Sequence, residues 1–176
     1  MSTRTLSPYA YIPLSPSQIR LLGLQPSADV ATPLRCHLEE VSLETELSYE
    51  ALSWTWGDPA PTDDLIVDDL YNIKISANLR DALLQLRLHT RPRRMWVDAV
   101  CINQPDEVEK AGQIPQRANI YRGAYSVLVW LGNHEAEAIQ LAQLNKFAAK
   151  EPGVVPRSNI KAALAAVTAL PWFKRR

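Results

Sequence analysis

The sequence has very little cysteine. Two residues among 176, Cys36 and Cys101, cannot make a disulfide framework, and neither belongs to a CxxC pair, which argues against structural zinc. Excess charge is also missing: 19 Lys and Arg balance 19 Asp and Glu, so no whole-surface attraction to DNA or RNA is expected. The basic cluster Lys174, Arg175 and Arg176 reads as a solvated tail. No uninterrupted apolar run approaches the ~18 residues of a membrane-spanning helix. The first twenty residues, broken by Pro8, Pro13 and Pro16, lack the apolar stretch of a secretory signal. A reducing, cytoplasmic location is therefore expected. P-loop, GxGxxG and GxSxG motifs are absent, and His134-Glu135 opens no HExxH because residue 138 is Ala.

What is present is core. Apolar residues make up 47% of the chain, enough for one domain of this length. Residues 1–30 read as an extended, proline-punctuated segment preceding a domain over 31–176, with "SQIRLLGL" as a short strand or turn docked on it. Leu34, Cys36 and Leu38 alternate as in a half-buried strand. "YEALSWTWGD" reads as a strand followed by a turn, and "DLIVDDLYNIKIS" as a hairpin whose Asp68-Asp69 turn lacks the usual glycine. Leu79, Ala82, Leu83 and Leu86 form one helical face, with Ser76 or Asn78 as its cap.

"MWVDAVCI" is short, apolar and β-branched, which predicts a strand covered on both faces. Asp106 with Glu109 resembles a capping box for the next helix, which Pro115 is expected to kink or split. "YSVLVWLG" predicts another buried strand, and two alanine-rich helices are expected over 134–150 and 159–170. Helices alternating with buried strands imply an α/β fold with a mostly parallel sheet, the early hairpin being an appended or edge element.

Three blocks, "YEALSWTWGD", "MWVDAVCINQ" with "EKAGQIPQRANIYRGAYSVLVWLG", and "LPWFKRR", together resemble the fungal heterokaryon-incompatibility (HET) domain. "NLRDALLQLR" matches the family's Asn-Leu-x-x-Ala-Leu helix. Departures are Trp54 in place of the usual Tyr, Arg117 in place of Met, and Pro115 in the same helix. The resemblance implies a domain that promotes programmed cell death when incompatible fungal individuals fuse. It also implies a distant likeness to TIR domains, hence a flavodoxin-like sheet flanked by helices and a part in innate immunity. TIR domains act by self-association or by cleaving NAD. Implied partners are further copies or other incompatibility proteins, and NAD is the implied substrate if the domain is an NADase. Family members continue past "PWFxR" into a Trp-containing segment ending in Gln-Glu, the counterpart of the TIR catalytic glutamate. The chain ends at Arg176, so it is expected to carry the scaffold without that acid.

Ligands of open α/β sheets bind at the carboxyl ends of strands. Two tips would meet there if their strands run parallel: Ser53, Trp56, Gly57 and Asp58 from one, and Cys101, Asn103 and Gln104 from the other. Trp56 could stack on a base, Asp58 accept from ribose hydroxyls, and Asn103 orient a carboxamide. The plainer alternative makes the tryptophans core, Gly57-Asp58 a turn, and Asn103-Gln104 a helix cap. Asp98 sits where a carboxylate is expensive unless paired. It is the partner of an arginine such as Arg93, Arg94 or Arg122, a ligand-facing group or catalytic acid or base, or an exposed edge residue. Cys101 reads as a buried, inert thiol rather than a nucleophile. No metal-ligand spacing is found, and Asp63, Asp64, Asp68 and Asp69 read as a solvated hairpin.

Overall fold

The computed structural model describes residues 5–56, 58 and 60–132. The expected helices over 134–150 and 159–170 lie outside them. The chain divides into two compact units, Met1–Val129 and Trp130–Arg176, and the fold is that of the first.

This fold is α/β. Its strands are β1 (Ser7–Pro8), β2 (Gln18–Leu24), β3 (Arg35–Ser42), β4 (Glu50–Trp54), β5 (Pro61–Val67), β6 (Tyr71–Ser76), β7 (Arg93–Trp96) and β8 (Ser126–Trp130). Its helices are α1 (Ala77–Leu86), α2 (Asp98–Cys101) and α3 (Glu107–Gly123). The strands form one sheet in the order β1-β6-β5-β3-β2-β7-β4-β8. The sheet is mixed. β4 pairs parallel with β7, β3 with β5 and β1 with β6, whereas β2 runs antiparallel to both β3 and β7. The proline-rich start of the chain thus yields a strand, β2, in the middle of the sheet. Ile19, Leu21, Leu22 and Leu24 are buried.

Several local expectations hold. Hairpin β5–β6 turns at Asp68 and Asp69, whose φ angles of 51° and 58° are both left-handed. Such a turn matches strand twist and favours Gly, Asn or Asp, the latter two tolerating this region through their short polar side chains. Ser76 caps α1 by accepting from the Leu79 N–H. Asp106 caps α3 by accepting from the Val108 and Glu109 N–H groups. The split expected at Pro115 does not occur: α3 runs unbroken from Glu107 to Gly123 with Pro115 inside it.

Two further expectations are corrected. The strand in "YSVLVWLG", β8, is not buried, since Val127 and Val129 are exposed. "MWVDAVCI" is not a continuous strand: β7 ends at Trp96, and Asp98–Cys101 turn as one short helix. Four apolar residues in a row fit a buried strand and a buried helical turn equally well, so periodicity alone does not separate them. The Asp98 carboxylate takes the Ala99 N–H at 2.9 Å, satisfying a donor that the start of a helix leaves open.

Candidate functional site

The parallel pairing of β4 with β7 sets Glu50 opposite Met95 and Ala51 opposite Trp96. Two residues further along the chain stand Ser53, still on β4, and Asp98, the first residue of α2, so both strands deliver their tips to one rim. The contact is direct: the indole N–H of Trp54 donates to Asp98 Oδ1 at 3.0 Å.

Beside this junction opens a cavity of about 460 Å³. Trp54 and Trp56 line it from one tip and Ala99, Gln104 and Pro105 from the other. β6 and Tyr9 and Tyr11 of the N-terminal segment also line it. β6 and β4 hold the second and seventh places in the sheet, so the sheet curls strongly to bring both to one cavity. Asn78, in the first turn of α1, fastens the Trp turn by donating to the Thr55 carbonyl at 2.5 Å.

Of the residues expected at a site, Trp56 and Gln104 line the cavity. Trp56 is 43% exposed, with its ring stacked on Trp54 at 5.9 Å and 12°. Gln104 donates through Nε2 to the Asp98 carbonyl at 2.8 Å, closing the turn that precedes α3. Ser53 is buried on β4 and hydrogen-bonds the Tyr121 side chain. Asp58 is exposed and accepts from the Ala60 N–H at 3.0 Å, the geometry of a turn. The Asn103 N–H donates to Glu109 Oε1 at 2.7 Å. Gly57 lies outside the described residues.

Asp98 is 6% exposed and held on both oxygens. Oδ1 takes Trp54 and the Ala99 N–H, and Oδ2 takes the Arg117 guanidinium at 3.2 Å. Its ion-pair partner is thus Arg117, not one of the arginines the sequence offered. Arg93 instead pairs with Glu50, and Arg94 with Glu39. Cys101 is 1% exposed, and burial pushes its thiol up to about 12. Burial of this kind disfavours the thiolate, the form in which a cysteine attacks.

Sequence reasoning missed the group that braces the rim from below. Arg20 of β2, wholly buried, forks onto Glu109 at 2.6 and 2.9 Å and donates to the Cys101 carbonyl at 3.2 Å. It also donates to the Ile12 carbonyl and lies 4.9 Å from the centre of the Tyr11 ring. Tyr11 in turn donates to the Val100 carbonyl at 2.9 Å, and burial raises its phenol well above the usual range. A charge inside the apolar run "QIRLLGL" was the available signal, of the same kind as Asp98 inside "WVDAV".

Among the described residues no group of His, Cys, Asp and Glu is placed to hold a metal ion, and no helix is long and apolar enough to cross a membrane. No solved structure matches the chain. It is 36% identical over 146 residues to heterokaryon incompatibility protein 6, OR allele, of Neurospora crassa, a match covering 75% of this chain and 22% of that protein. The chain therefore spans less than a quarter of that relative's length. Residues 49–176 match the profile of the heterokaryon incompatibility protein (HET) family, and this span contains both tips of the rim. The chain belongs to the HET family.

Proposed function

We propose that this chain is the effector and signalling domain of a heterokaryon-incompatibility protein, which promotes fungal cell death by self-association and binds a ligand in its cleft without transforming it. Family membership and the similarity to a protein named for heterokaryon incompatibility support the biological role. The observation that carries the non-catalytic reading is the state of Asp98. A general acid or base must reach the proton it moves. Asp98 spends its oxygens on Trp54, Ala99 and Arg117 instead, as a strut between the two tips. Assembly is then the means by which the domain passes on a signal.

A second reading, an NAD-cleaving hydrolase or a nucleotide-binding sensor, is favoured by the half-exposed Trp56 ring, on which a planar base could stack. One experiment separates the two. The purified chain, with and without forced dimerisation, is incubated with NAD while nicotinamide release and sedimentation are followed. Concentration-dependent assembly without nicotinamide release is the expected result. Turnover that Asp98→Asn abolishes overturns the non-catalytic reading.

A further inference from the structure

We propose that the cleft is a docking groove for a short extended peptide of a partner protein, which adds to the open edge of β6 as an extra strand. The first support is the way β6 meets the cavity. Asn72, Ile73, Lys74, Ile75 and Ser76 all line it. Side chains of a strand alternate between faces, so a cavity on one face meets every second residue. A cavity met by five in succession runs along the strand's edge.

The second support is what already occupies that edge. Ser7 and Pro8 pair parallel with Tyr71 and Asn72, and the Tyr9 N–H donates to the Asn72 carbonyl at 2.9 Å. The N-terminal segment then leaves the strand for Val100 and Arg20. Beyond Asn72 no strand pairs with β6 on this side among the described residues. The carbonyls of Leu70 and Asn72 point toward β1, since they accept from Ser7 and Tyr9. Main-chain groups alternate in direction along a strand, so the N–H and C=O of Lys74 point the same way, into the cleft. The chain's own segment thus fills half of the edge by strand addition, and the other half presents the same main-chain pattern.

The walls define the occupant. Tyr9, Tyr11, Trp56 and Pro105 are among the residues that line the cleft, a lining suited to apolar or aromatic side chains. Lys74 Nζ is paired with Asp64, so the mouth offers no bare charge to select an acidic peptide. From Ile73 to Ser76 the edge spans roughly 10 Å at a rise of ~3.3 Å per residue, room for about four residues. In the β1 pattern Pro8 stands opposite Asn72 and Tyr9 donates to the Asn72 carbonyl, so at Lys74 the residue that cannot be proline is the one after its opposite number, whose N–H the Lys74 carbonyl takes.

The test uses the full chain and heptapeptides selected against it from a random phage-displayed library. The selected peptides are expected to be apolar and to weaken at least tenfold when one particular backbone nitrogen is methylated. Trp56→Ala, at a half-exposed position that leaves the fold intact by circular dichroism, is expected to weaken them at least tenfold. Hydrogen exchange at the Lys74 amide should slow at least tenfold in the saturated complex. A selection yielding no peptide above background overturns the proposal. So does a peptide whose binding ignores every backbone methylation or leaves Lys74 exchange unchanged. None of these readouts is nicotinamide release, assembly or cell death, so failure here and failure of the effector reading are distinguishable.

Discussion

Trp54 and Asp98, 44 residues apart in the chain, are joined by an indole–carboxylate hydrogen bond of 3.0 Å in the buried rim of the cleft. This bond ties the two most recognisable stretches of the sequence, "SWTWGD" and "WVDAVCINQ", into one structural unit. Asp98→Ala is expected to lower stability by about 3 kcal/mol, because it strands a buried indole N–H and unpairs Arg117. Asp98→Asn keeps an acceptor for Trp54 and should lose about half as much. Urea unfolding midpoints check both, and an unchanged midpoint for Asp98→Ala contradicts the strut.

Arg20 and Glu109 form the brace beneath that rim. Removing one partner of a buried ion pair leaves an uncompensated charge, so Arg20→Ala should destabilise by ~3–5 kcal/mol. Arg20→Lys should rescue little, since an ammonium cannot fork onto both carboxylate oxygens. Limited proteolysis supplies a local readout: without Arg20 holding the Ile12 carbonyl, residues 5–16 should be cleaved faster than in the parent chain.

Two glycines give opposite expectations. A methyl at Gly112, inside α3, meets nothing within 4 Å, so Gly112→Ala should stabilise by ~0.5–1 kcal/mol through helix propensity. A methyl at Gly23 would stand 1.8 Å from the His37 ring, its cross-strand partner. Gly23→Ala should therefore destabilise unless His37 is shortened too, and thermal melts of Gly23→Ala with and without His37→Ala check the pairing.

The legibility of the sequence depends on the range of the forces involved. Ser76 as a cap, Asp106 as a cap and the Asp68-Asp69 turn were readable because each is decided within four residues. The convergence of the Trp turn with the Gln104 segment was readable from one assumption, parallel neighbours, which β4 and β7 satisfy. Where β7 stops was not readable, because "VDAVC" is apolar enough for either conformation. The central place of β2 was hidden by the prolines around it. The Arg117 partner of Asp98 lies a helix away, and Arg20 reaches Glu109 across 89 residues. No local pattern encodes such pairs. Glu109 shows the limit of local reading: its spacing from Asp106 resembles a capping box, yet its carboxylate serves Arg20 and the Asn103 N–H.

Acid sensitivity should come from the hairpin side. The Asp63 carboxyl is lowered by the Thr62 hydroxyl and by Arg80, and that of Asp64 by Lys74 and Asn72. A carboxyl held below its unfolded value of 3.8 contributes stability above that value, which is lost as pH falls through the folded one. Stability measured from pH 5 downward should decline, and Asp64→Asn should make the decline shallower. Both groups are near the surface, so the effect is small and shrinks with added salt.

A double-mutant cycle on Trp54→Phe and Asp98→Asn, read by urea unfolding, is the sharpest test of the joined tips. A coupling of about 0.5–3 kcal/mol between the two positions is expected. Additive losses, with no coupling beyond error, would mean that the two tips do not meet, and the shared cleft would be lost with them.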